Sequence, residues 1–177
     1  SMGVRLMLSR SGLDLNKHVT IDNVERNTVL HLATLLRNEI AGAEILQMLL
    51  CDSRIAPSID ELNAKGMTAL CYACLAGSVW ALKLLIRHGA SVSKSGEETN
   101  SPIITCIQSK NNETFDILLS NIDDVDSVSG LLIIAIAHNN TYVVDMLLSR
   151  SDFKFTSGSP SFNEILVSLS SFSTFDE

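Results

Sequence analysis

The 177 residues carry 46% apolar, 19% charged and only 5% aromatic side chains, with a formal net charge of −7. Without a basic face, that charge excludes a general nucleic-acid or anionic-membrane binder, because neutralising phosphates requires clustered Lys and Arg. The longest unbroken apolar run, Leu131 to Ala137, is far too short to span a bilayer. No signal-peptide pattern is visible at the start, and the length suits one domain with a sizeable core.

In chain order, Ser1-Met2 reads as an expression remnant. Thr28 then opens a helix through Leu30 and Ala33, and Leu46, Met48, Leu49 and Leu50 form a second. The next pair is the most regular. Thr68 caps a helix to about Ala76 with Leu70 and Ala73 on one buried face, and Gly77 ends it. Val79 to about Arg87 follows with Leu82, Leu85 and Ile86 on one side, and Gly89 supplies the left-handed residue after its end.

Compared with that pair, the second helix after Thr28 comes four residues late. The extra turn lies between Arg37 and Ala43, so either the first helix is longer or the connection bulges, and Pro57-Ser58 suits a protruding loop within Ser53 to Glu61. Further on, Ser101 caps a helix with Pro102 at its first position, and Phe115, Ile117, Leu118 and Leu119 make the partner helix. Gly130 stands where the next capping Thr would be. Leu131 to Ala137 alone could be a buried strand, but the offset to Val143, Val144, Met146, Leu147 and Leu148 favours a helix. Ser161 and Glu164 are spaced as a capping box for a last helix through Ile165, Leu166 and Leu169, ahead of a frayed tail.

A helix pair of this kind leaves apolar residues on more than one side, so neighbours must stack on it. The offsets around Gly66, Thr68-Ala69-Leu70, Ala73, Gly77, Leu84-Leu85-Ile86 and Gly89-Ala90 resemble one unit of the ankyrin repeat family. Thr28-Val29-Leu30-His31-Leu32-Ala33 matches its Thr-Pro-Leu-His-x-Ala signature except at Val29. The step from Thr68 to Ser101 is 33 residues, the family period, whereas Thr28 to Thr68 is stretched to 40. The resemblance implies an all-α solenoid of stacked antiparallel helix pairs with short hairpin fingertips. It reads as one domain over 1–177: a half repeat at 4–21, a repeat with insertions at 22–62, a regular repeat at 63–95, degenerate repeats at 96–124 and 125–155, and a capping helix with tail at 156–177. Val4 to Asn16 resembles the second helix of a repeat followed by the family's turn, and because the first helix of that repeat is missing, the chain reads as a fragment of a longer array.

Catalysis and metal binding find little support. Cys71 and Cys74 form a C-x-x-C on a helix without further ligands or a strand-to-helix context. With Cys51 and Cys106 they read as small apolar fillers in a reducing, cytoplasmic or nuclear setting. His31 is expected to brace adjacent turns, as the family histidine does, and His88 to meet the carbonyl end of its own helix. No phosphate loop, nucleophile elbow or zinc-protease motif is present. No enzyme activity, cofactor or metal is therefore expected.

What the resemblance does imply is a concave binding surface. Its positions fall on Val24, Glu25, Asn27, Leu35 and Leu36 in the first full unit, and on Ala64, Lys65, Met67, Leu75 and Ala76 in the second. They continue through Glu97, Glu98, Asn100, Gln108 and Ser109 in the third and Asp126, Ser127, Ser129, Ala137 and His138 in the fourth. Leu35, Leu36, Met67 and Leu75 would form an apolar patch, with Met67 and Leu75 at its middle. Glu97, Glu98, Asn100 and Gln108 beside it, and outward-facing His138, complete the set. The expected function is a non-catalytic module, monomeric, that binds a protein or peptide carrying an apolar anchor with basic flanks. The alternative is a structural spacer that positions neighbouring domains of a larger protein.

Overall fold

The computed structural model describes residues 26–94, 96, 100–121 and 128–149, together with 3, 6, 8 and 9. Eight α-helices lie among them: α1 Val29–Thr34, α2 Glu39–Leu50, α3 Ala69–Ala76, α4 Val79–Arg87, α5 Pro102–Ser109, α6 Asn112–Leu119, α7 Val128–Ala137 and α8 Thr141–Ser149. Each odd-numbered helix packs against the even-numbered one that follows it. The chain divides into two compact units, Ser1–Leu119 and Ser120–Glu177. In the first unit α1, α3 and α5 stack in one row and α2, α4 and α6 in another. In the second, α7 packs on α8, with Leu131, Leu132, Ala135, Val143 and Leu147 buried.

The regular repeat forms as its residues dictate. The Thr68 hydroxyl accepts from the Cys71 N–H and caps α3, which buries Leu70 and Ala73 completely. Gly77 adopts φ 64 and lets its own N–H and that of Ser78 turn back onto the carbonyls of Cys74 and Ala73. Helix α4 buries Leu82 and Leu85, and Gly89 closes it at φ 88. Next to Gly77, Asn111 donates from Nδ2 to the carbonyls of Cys74 (2.7 Å) and Leu75 (3.1 Å), so one repeat satisfies the helix end of the one before it. A Cβ on Gly77 would lie 2.8 Å from the Asn111 Oδ1. Gly77→Ala therefore strains the backbone and pushes on that staple together. It should cost about 1–3 kcal/mol, read as a lowered thermal midpoint, and an unchanged midpoint would contradict this account. The corresponding turn residues are Lys110 (φ 57) and Asn139 (φ 51), both left-handed without being glycine.

Three local expectations are corrected. The extra turn after Arg37 does not lengthen α1: the connection to α2 covers residues 35–38, where the regular pair has only 77–78, and α2 itself is longer. Helix α1 ends at Thr34, Asn38 accepts from the Ala41 N–H at 3.0 Å, and α2 then runs for 12 residues where α4 has 9. Gly130 is not a cap but lies inside α7, which begins at Val128, and the run from Leu131 to Ala137 is helical. In the insertion, Pro57 is exposed, yet Ile55 is fully buried and a short 3-10 turn follows at Ala56–Ser58, so the segment is anchored. Arg54 donates to Asp52 at 2.6 Å and to the Leu8 carbonyl at 2.7 Å. The Arg54 hydrogen bonds hold the Asp52 carboxyl down at about 2.

Among the cysteines, Cys71, Cys74 and Cys106 are fully buried, whereas Cys51 is exposed at the end of α2 and is no core filler. Burial pushes the Cys71 and Cys74 thiols up, the opposite of what a thiolate ligand or nucleophile requires. The half repeat at 4–21, apart from residues 6, 8 and 9, and the helix expected at 161–169 lie outside the described residues.

Candidate interaction surface

At the hairpin end, the fingertips are joined by buried polar bonds. Thr28 donates its N–H to His31 Nδ1 at 3.2 Å, which makes Nδ1 an acceptor and leaves the Nε2–H to reach the Met67 carbonyl at 2.9 Å. The imidazole meets Tyr72 edge-on, centroids 5.2 Å apart. Asn63 donates to Asn27 Oδ1 (2.9 Å) and Tyr72 Oη (3.1 Å), and its Oδ1 accepts the N–H groups of Lys65 and Met67. One repeat further on, Asn100 donates to the Lys65 carbonyl at 2.8 Å and Gly96 N–H to the Gly66 carbonyl at 2.8 Å. The bracing role of His31 is thus observed. His88 differs from expectation, because its Nε2 faces the Gln47 amide at 3.0 Å, across to the neighbouring helix.

These bonds alter the picture of the fingertip residues. Asn27, expected to point outward, is buried, and Asn100 and Met67 are half-buried. A depression of about 640 Å³ remains, with Ala64, Lys65, Gly66, Met67, Gly96 and Asn100 in its lining. Glu97 and Glu98 lie outside the described residues.

The other end of the same helices carries the apolar patch. Leu35 is 46% exposed, Leu36 38% and Leu75 52%, and Ile40 on the first turn of α2, absent from the sequence-based set, is 78% exposed. Between the α1–α2 and α3–α4 turns runs a groove of about 430 Å³, with Leu35, Leu36, Ala76, Val79 and Trp80 in its lining and Arg37 and Glu39 among its polar residues. Met67 precedes α3 and Leu75 lies near its far end, so the eight residues of that helix set them about 12 Å apart. The expected positions therefore span the length of α3, with Met67 at the fingertip end and Leu75 at the helix-turn end. Gln108 is exposed near the end of α5, whereas Ser109 is half-buried and bonded to the Thr105 carbonyl at 2.7 Å. His138 is exposed in the second unit, just past α7. Among the described residues no group of three or more His, Cys, Asp or Glu could hold a metal, and no helix is long and apolar enough to cross a membrane.

Helix pairs stacked in two rows, with buried side chains crossing between successive hairpins, define a repeat solenoid. The chain belongs to the ankyrin repeat family: the family profile of ankyrin repeats, in three copies, matches residues 36–129. Among solved structures it is similar to the crystal structure of the human ASB11 ankyrin repeat domain, at TM-score 0.60 and 21% identity over 97% of this chain and 78% of that one. No curated protein sequence matches it.

Proposed function

We propose that this domain is a non-catalytic module that binds a protein or peptide on its helix-turn end, through an apolar anchor seated on Leu35, Leu36 and Leu75. The observation behind the reading is the exposure of these three leucines, with Ile40, on neighbouring repeats, where a folded chain gains nothing by leaving them in water. Gln108 and Asn100 on the following repeat are the described amide-bearing positions assigned to basic flanks of the partner. Ankyrin repeats are in general protein-interaction modules, which supports the class but not the partner.

The test is a double substitution, Leu35→Glu with Leu75→Glu. Both side chains are exposed, so the helical circular-dichroism signal should persist while affinity for a partner, recovered with the wild type and then purified, falls at least tenfold. Equal affinity with an intact fold would remove the proposal. In that event the spacer reading takes over, supported by the bonds that run from hairpin to hairpin and stiffen the array.

A further inference from the structure

At the ends of α2 and α4 remote from the groove, a thiol and an imidazole converge on one point. Cys51 follows the last residue of α2 and His88 the last residue of α4, and the two helices pack against each other. Gln47, one turn back on α2, places its Nε2 3.1 Å from the Cys51 Sγ and 3.0 Å from the His88 Nε2. A side-chain amide nitrogen only donates, so one hydrogen goes to the sulfur and the other to the ring, which leaves the His88 proton on Nδ1. Both heteroatoms thus aim a lone pair at the place the amide fills. Cys51 is exposed and His88 is half-buried, so solvent reaches them.

That point suits a small cation. The last carbonyls of a helix have no partner within it and give its end a partial negative charge, and two such ends, of a 12-residue and a 9-residue helix, meet here. Thiolate sulfur selects soft ions, and imidazole suits copper and zinc. Zinc sites draw at least three ligands from the protein, and among the described residues no group of three His, Cys, Asp or Glu could supply them. The neighbouring Asp52 is committed to Arg54 through both carboxylate oxygens. Copper(I), by contrast, is satisfied by two donors of this kind in a near-linear arrangement. Bonds from a first-row metal to nitrogen and sulfur, about 2.0–2.3 Å, are shorter than the contacts to Gln47, so the exposed thiol turns inward as the amide swings out.

We propose that Cys51 and His88 bind one copper(I) ion, Cys51 as the thiolate with its proton released to solvent and His88 through its neutral Nε2, the ion displacing the Gln47 amide from between them. A coordination bridge then ties the end of α2 to the end of α4, repeat to repeat, in place of the hydrogen bonds that Gln47 makes.

The full chain is titrated without oxygen, in ascorbate, against copper(I) held by bicinchoninate, whose colour fades as the protein removes the ion. Transfer of one ion per chain is expected. Cys71, Cys74 and Cys106 are fully buried, which leaves Cys51 as the thiol within reach. Cys51→Ser should lower the affinity at least hundredfold and His88→Ala at least tenfold, with circular-dichroism spectra retained. Gln47→Ala removes only the displaced group and should bind at least as tightly as the wild type. Should His88→Ala fold poorly, the imidazole nitrogens of the ¹⁵N-labelled wild type carry the test, because copper(I) is diamagnetic: the His88 Nε2 resonance should move and those of the buried His31 should stay. No uptake, unchanged affinity in folded His88→Ala, an unmoved His88 Nε2, or weaker binding by folded Gln47→Ala overturns the proposal. One ion per two chains assigns the copper to the thiols of two copies and overturns it too.

Discussion

Replacing His31 with alanine should lower the unfolding free energy by about 3–5 kcal/mol, a large share of what a domain of this size possesses. The side chain is completely buried and serves two repeats at once. Its removal strips the Thr28 N–H of its acceptor and the Met67 carbonyl of its donor, and each buried polar group left alone costs about 1–3 kcal/mol. It also ends the edge-on contact with Tyr72, worth about 0.5–1.5 kcal/mol, and opens a space between hairpins. The measurement is the urea midpoint at unchanged slope. A loss under about 1 kcal/mol would mean that water takes over both bonds, and the buried bridge would not be what joins these repeats.

Phe115→Ala should be comparably severe, at about 3–5 kcal/mol, for a different reason. Phe115 is a fully buried aromatic side chain on α6, whose helix packs on α5 and on α4, so the cavity opens between two repeats. Ile117, two positions along the same helix, is only partly buried. Ile117→Ala should cost distinctly less, and the pair compared by thermal unfolding checks the facing of α6. Equal losses would show that the helix is rotated from the orientation described.

Much of the fold is legible because each rule acts locally. Thr68, Gly77 and Gly89 mark the ends of α3 and α4, and the leucine spacing marks the buried sides. The extra turn after Arg37 was harder to place, since leucine spacing reports which side is buried and not where a helix starts. The available signal was Asn38 followed by Glu39, a cap and a first-turn acid. Gly130 shows the converse error, in which a family offset assigned a cap to a residue that the backbone passes through.

The candidate surface was less legible. Asn27 occupies a fingertip position, yet its fate is decided by Asn63, 36 residues away, and no local pattern records that bond. Met67 and Leu75 are neighbours in a list of family positions but sit at opposite ends of α3. Ile40 went unnoticed because an apolar residue at the start of a helix reads as core until its surroundings are known. Gly42 did leave a trace, since a glycine inside a helix calls for a packing reason, and that reason is Trp80.

The bonds between hairpins have a mechanical consequence. His31 reaches forward to the next repeat, whereas Asn63, Asn100 and Asn111 reach back to the previous one. Under tension along residues 26–119, detaching one repeat leaves polar groups orphaned on the neighbour that remains. Resistance to pulling is therefore shared across each junction, and repeats should yield in coupled steps under force rather than as independent links.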